Sequence, residues 1–262
     1  MAAMTAHPAP DPVPRAQAGA SAPVPVGTPA RSLSTRTRIK ICGLTREQDV
    51  DAAVDAGVDA IGFVMYEKSP RYVTPLRAAE LARRLPPFVT PVLLFVNEKT
   101  ANIVAACDHL PLGMLQFHGD ENPAQCEDAG RACHRPWLRA ARIPVQGSSA
   151  FDLIKFAADY SQANAILLDA HVDGFGGGGK TFNWSLLPPS VNAHLVLSGG
   201  LTPANVTEGI LQVRPRGLSL AVDVSSGVEA VGPDGNVLKG IKDPKKIDQF
   251  VAAVRAADRQ PA

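Results

Sequence analysis

From Arg38 onward, short apolar runs rich in branched residues alternate with stretches of helical character, and the alternation repeats eight times. The runs are Arg38–Cys42, Ala60–Val64, Val92–Val96, Met114–His118, Trp137–Arg142, Ala165–Asp169, His194–Ser198 and Leu218–Val222. Nearly continuous apolarity over a handful of residues is what a strand buried on both faces requires. The intervening stretches predict helices at Glu47–Ala56, Pro75–Leu85, Thr100–Cys107, Pro123–Ala129, Ser149–Tyr160, Asn183–Leu187, Pro203–Gln212 and Asp243–Ala256, the sixth being the weakest. Start signals support several. Thr45 and Gln48 have capping-box spacing, and Thr74-Pro75 and Thr202-Pro203 set an N-cap residue before proline at the first helical position. Strands alternating with helices imply a parallel sheet with right-handed crossovers. Eight units predict an α/β fold, the closed (β/α)8 TIM barrel with a parallel eight-stranded core. The alternative, a doubly wound open sheet, carries fewer strands in this length. It also favours GxGxxG after the first strand, where this chain has Cys42-Gly43-Leu44-Thr45.

The barrel is expected over residues 37–257. Residues 1–36 hold seven prolines, nine alanines and no aromatic residue. Such a stretch cannot bury enough surface to offset its ordering entropy, so a disordered N-terminal tail is expected there, and loose chain after Ala256. The three arginines and single acid of this segment faintly suggest a transit peptide, which its proline content opposes. A formal net charge of +1 gives no electrostatic reason for nucleic acid or an anionic membrane as partner. No window reaches the length of a membrane span. Four cysteines without a CxxC pair read as free thiols in a reducing, cytoplasmic setting.

In barrels of this kind chemistry sits at the C-terminal ends of the strands. Those ends carry Cys42, Asn97, His118, Arg139, Asp169, Ser198-Gly199-Gly200 and Asp223-Val224-Ser225-Ser226-Gly227, whereas the strand bodies are apolar. Glycine pairs let backbone N–H groups approach an anion, and loops after strands seven and eight commonly hold a phosphate. Gly199, Gly200, Ser225, Ser226 and Gly227 are therefore the candidate phosphate residues. Gly174–Thr181 satisfies the pattern GxxxxGK[ST], but Pro188-Pro189 stops the following helix too soon for a nucleotide loop. A mobile glycine lid over the barrel mouth explains the run better.

Several segments together carry a family likeness. They are Lys40-Ile41-Cys42-Gly43-Leu44-Thr45, Lys68-Ser69-Pro70-Arg71-Tyr72-Val73, Leu115-Gln116-Phe117-His118-Gly119, Leu168-Asp169-Ala170 with Gly178–Trp184, and Asp223–Glu229 with Lys242-Asp243. In these the chain resembles phosphoribosylanthranilate isomerase of tryptophan biosynthesis, from about Arg38 to Arg255. The resemblance implies an Amadori rearrangement of N-(5-phosphoribosyl)anthranilate to the 1-deoxyribulose isomer, with no cofactor and no metal. It implies Cys42 as general base and Asp169 as general acid. Arg71 matches a carboxylate-binding position, and His118 and Asp223 are substrate-orienting candidates. Asp223 could instead brace the Ser225-Ser226 loop, and His118 could be purely structural.

A basic Cys42 needs thiolate character, expected from the helix following Thr45 and from Lys40. An acidic Asp169 needs the opposite treatment, expected from burial. Cys107, Cys126 and Cys133 read as inert small hydrophobes. Ala230–Leu238 looks like an inserted surface hairpin, with Pro233-Asp234-Gly235 as its turn, away from the site. Two alternatives remain at this level: another phosphosugar aminoaldose isomerase, or a non-catalytic barrel that binds phosphorylated metabolites. The expected partner is a phosphorylated small molecule, and the expected state is monomer or homodimer.

Overall fold

A computed structural model describes residues 36–145, 151–171 and 181–260. The expected tail, the glycine lid at Gly174–Gly179 and the first residues of the fifth predicted helix lie outside the described residues.

Eight parallel strands close into one barrel in sequence order. They are β1 (Arg38–Cys42), β2 (Ala60–Val64), β3 (Thr90–Phe95), β4 (Met114–Phe117), β5 (Trp137–Pro144), β6 (Ala165–His171), β7 (His194–Leu197) and β8 (Ser219–Val224). β1 closes the ring on β8, with Lys40 opposite Asp223 and Ile41 opposite Val224. The helices are α1 (Glu47–Asp55), α2 (Pro75–Ala82), α3 (Thr100–His109), α4 (Pro123–Cys133), α5 (Leu153–Asp159), α6 (Val206–Val213) and α7 (Pro244–Asp258). The weak sixth helical stretch is a single 3-10 turn, Trp184–Leu186, because Pro188-Pro189 forbids continuation.

The apolar runs fill the interior as the periodicity demands. Ile41, Ile61, Phe63, Leu93, Leu115, Leu168, Leu197 and Val222 are fully buried between strands and helices. Helix starts are less uniform. Thr74 caps α2 by accepting from the Arg77 N–H at 3.2 Å, as its spacing predicts. The other two starts differ. Thr45 does not cap α1: its hydroxyl donates to the Gly240 carbonyl at 2.8 Å, and Arg46 occupies the N-cap position without a side-chain bond. α6 begins at Val206 and not at Pro203, because Asn205 Oδ1 accepts from Thr202 N–H and its amide donates to Gly200 O, folding 202–205 into a turn.

The chain end is also tighter than expected. α7 runs on to Asp258, whose carboxylate accepts from the Thr37 N–H and hydroxyl and from Arg214 at 2.6–3.0 Å. This clamp joins the two ends of the barrel chain, so the residues after Ala256 are not loose as far as Asp258.

The inserted segment forms the expected hairpin from β9 (Glu229–Val231) and β10 (Val237–Lys242), with its turn at Gly232–Asn236. It is not apart from the barrel mouth. Its stem delivers Glu229, Gly240 and Lys242 beneath the end of β8.

Candidate active site

The C-terminal rim is a chain of close contacts, which glycines permit. Gly199 (φ +77) packs on β6: a Cβ there would lie 2.5 Å from Ala170 N and 2.7 Å from Asp169 Oδ1. Gly227 packs on the loop after β7: a Cβ would lie 1.9 Å from the Leu201 carbonyl oxygen. Gly43 (φ +74) lies beneath the Arg71 stem and near Ser225 Oγ, at 2.5 and 3.1 Å by the same measure. Gly62, opposite Cys42 in the ladder, leaves room for Cys42 Sγ and Lys40 Cε. The rim therefore runs without a break from Asp169 on β6, through the loops after β7 and β8, to Cys42 on β1. All the expected phosphate residues fall within that run. Both Gly199 and Gly200 (φ +64) use the left-handed region that glycine tolerates.

Asp169 is buried and is held by His118. His118 Nε2 lies 2.8 Å from its Oδ2, and Gln116 Nε2 lies 2.9 Å from His118 Nδ1. His118, a substrate-orienting or structural candidate by sequence, is thus bound to Asp169. Gln116 was not marked as functional by the sequence; its signals were a polar residue inside an apolar run, two positions before His118 on the same strand face, and its place in the Leu115–Gly119 segment.

Cys42 is also buried, and here an expectation is reversed. Burial pushes the thiol up, an effect that Lys40 and Lys242 only partly offset and Asp223 reinforces. Lys40 itself stays charged, because Asp223 at 2.8 Å and Cys42 together outweigh its burial and push it up. Asp223 is thereby committed to Lys40, with Ser198 Oγ donating at 3.5 Å to its other oxygen. It does not brace the Ser225-Ser226 loop. Lys242 does: its ammonium donates to Ser225 O at 2.9 Å and to Ser225 Oγ at 3.2 Å. Burial, against the pull of Glu229, pushes Lys242 down to about 8.

Arg71 reaches the rim, but half of its fork is spent. Nε and Nη2 donate to Glu229 at 2.6 and 2.8 Å. Glu229 is fully buried and also accepts from Gly240 N–H and Lys242. Burial alone would raise its carboxyl; the Arg71 bonds and the Lys242 charge hold it below the ordinary range. Two cations share this one carboxylate, so the floor under Ser225 carries net positive charge. Arg139, expected at a strand's C-terminal end, is instead the third residue of β5 and packs against α5. It stacks on Phe156 and Tyr160 and donates to the carbonyls of Phe117 and Gly119, which fixes the turn after His118. Among the described residues, no cluster of three or more His, Cys, Asp or Glu is disposed to hold a metal. Among them, too, no helix is long and apolar enough to cross a membrane.

A closed parallel barrel that gathers a thiol, a histidine-held carboxyl and two glycine loops on its C-terminal rim has the build of the barrel enzymes. Comparison with known proteins narrows the class. Residues 39–253 match the family model of N-(5'-phosphoribosyl)anthranilate isomerase. The proteins of that name from Methylibium petroleiphilum and Leptothrix cholodnii are 60% and 59% identical, over 87% and 85% of this chain and 98% and 93% of theirs. The crystal structure of the isomerase from Thermotoga maritima shares 38% identity at a TM-score of 0.71, over 84% of this chain and 99% of that one. A second structure of the T. maritima protein, 34% identical at a TM-score of 0.66, over 84% of this chain and 99% of that one, describes monomers generated from a dimeric enzyme. A further isomerase structure, also 34% identical at 0.66 over the same shares, holds reduced 1-(o-carboxyphenylamino)-1-deoxyribulose 5-phosphate. The chain belongs to the N-(5'-phosphoribosyl)anthranilate isomerase family.

Proposed function

We propose that this chain carries out its family's step of tryptophan biosynthesis with Asp169 as acid and Cys42 as base. The substrate is a phosphorylated small molecule, N-(5'-phosphoribosyl)anthranilate. Asp169 gives its proton to the furanose ring oxygen. The C1'–O bond breaks toward that oxygen while the anilino nitrogen lone pair forms the C=N bond. Cys42 then takes the C2' proton, and the released electron pair forms the C1'=C2' bond and neutralises the iminium. The enol proton leaves oxygen, C1' gains a proton, and the ketone results. The observation that carries this reading is the unbroken rim from Asp169 to Cys42, with the glycine loops between them.

The phosphate would lie against the N–H groups of Gly199, Gly200, Ser226 and Gly227, over Lys242, whose ammonium holds the Ser225 carbonyl. Since Glu229 occupies one edge of Arg71, the substrate carboxylate would meet its Nη1. Lys40, fixed by Asp223, favours the thiolate that burial opposes. Anthranilate substrates fluoresce, so the reaction is read as loss of that signal. Cys42→Ser and Asp169→Asn are each expected to cost about 10²–10⁴-fold in kcat. Near-normal turnover by either variant would remove that residue from the chemistry.

The four cysteines are free thiols, which supports a cytoplasmic setting. Of the two oligomeric states expected, the homodimer is favoured by Phe88 and Leu112, which stand 100% and 77% exposed at the N-terminal end of the barrel, and by the dimeric relative. Size-exclusion chromatography with light scattering tests it; a monomer at tens of micromolar would exclude it.

A further inference from the structure

The acid's partner has a partner of its own. Gln116 is fully buried, its Nε2 lies 2.9 Å from His118 Nδ1, and its Oε1 is buried with no hydrogen-bond partner among the described residues. His118 Nε2 in turn lies 2.8 Å from Asp169 Oδ2. The two oxygens of Asp169 are therefore not equivalent: Oδ2 faces His118, and Oδ1 faces Gly199.

We infer that Gln116 is a positioning residue that sets the tautomer of His118 and so confines the acid proton of Asp169 to Oδ1, the oxygen toward the sugar-phosphate loops. An amide nitrogen is only a donor, so the imidazole Nδ1 it meets is an acceptor and the single ring proton sits on Nε2. Nε2–H then donates to Oδ2. An oxygen that accepts this bond is the wrong one to carry a proton, and the acid proton is left on Oδ1. Turning the amide over would present Oε1 to Nδ1 and reverse every role in the row. It would also leave the N–H donors of the amide buried without an acceptor in place of one carbonyl oxygen, the costlier exchange. After Asp169 gives up its proton, the same Nε2–H stabilises the carboxylate that forms.

This inference rests on Asp169 being the acid, but its test does not. The protein labelled with ¹⁵N at histidine is read by NMR, with His118→Asn identifying the His118 signals. Neutral His118 protonated on Nε2 is expected. A ring protonated on Nδ1 would overturn the inference, whatever Asp169→Asn does to activity. In Gln116→Glu the carboxylate accepts from the ring, and His118 is expected to gain the Nδ1 proton. Its kcat should fall about 10–100-fold, less than loss of a whole acid–base contribution, with KM nearly unchanged. An unaltered ring signal together with an unaltered pH–rate profile in Gln116→Glu would also overturn it. Should that variant not fold, the wild-type tautomer decides alone.

Discussion

Replacing Gly227 by alanine probes the phosphate end with a perturbation whose size the structure supplies. The new Cβ would lie 1.9 Å from the Leu201 oxygen, where ordinary contact begins near 3.4 Å, so the two loops must part by about 1.5 Å. The obstacle is main chain, with Leu201 C at 2.9 Å and Thr202 Cα at 3.2 Å, and no rotamer change relieves it. Overpacking of this kind costs about 1–3 kcal/mol. For a chain of this size that lowers the melting temperature by roughly 2–12 °C. A shift of that size also takes a backbone N–H out of reach of the phosphate. Losing one hydrogen bond to a charged group is worth about 1.5–3 kcal/mol, or roughly a 10–150-fold rise in KM. The phosphate is remote from C1' and C2', so kcat should stay within about threefold, the signature of lost uniform binding. The assay is initial-rate fluorescence over a range of substrate concentrations. Gly235→Ala is the control: it sits at φ +80 in the hairpin turn with open space around it. It should cost about 1–2 kcal/mol of backbone strain with unchanged kinetics. A Gly227→Ala enzyme with wild-type KM and a lowered melting temperature would refute phosphate binding between the loops after β7 and β8.

Three further outcomes follow from the same geometry. Gly62→Ala places a Cβ 2.6 Å from Cys42 Sγ and 3.0 Å from Lys40 Cε, so it should cut kcat and slow iodoacetamide alkylation of Cys42 while leaving KM near wild type; undiminished alkylation would contradict the cradle. Glu229→Gln strands Arg71 and Lys242 in a buried site and should cost about 3–5 kcal/mol in urea unfolding. An equal-stability variant would mean the three charges are solvated. Stability should also fall in alkali. Burial pushes the Cys107 and Cys126 thiols from 9.0 up to about 12, so the folded chain keeps protons that the unfolded chain has lost. Their contribution is whole below pH 9 and drains as pH rises toward 12. Lys242, pushed down to about 8 from 10.5, works the other way between those values, but one lysine does not offset the thiols. Cys126→Ala should flatten the slope of melting temperature against pH above 9, and an unchanged slope would discount the thiols.

The repeat of eight was legible in the chain because strand and helix periods are local properties. The strand ends were legible for the same reason: a polar residue that closes an apolar run stands out in one dimension. Cys42, Asp169, His118 and the glycine pairs were found in this way. Helix starts were read less well, since Thr45 finds its partner in the distant Gly240 and Asn205 ties back to Thr202 and Gly200. Which side chains meet across the barrel was not legible at all. Arg71 and Glu229 are 158 positions apart, and Lys40 and Asp223 are 183 apart. Only closure of the ring brings them together. The same closure gave the inserted hairpin a place in the site, through Glu229 and Lys242. It also removed water from Cys42, so a thiol that local sequence marked for a lowered pKa is pushed up. Period and residue type belong to the chain, whereas desolvation and pairing belong to the folded volume, because both depend on what surrounds a group in three dimensions.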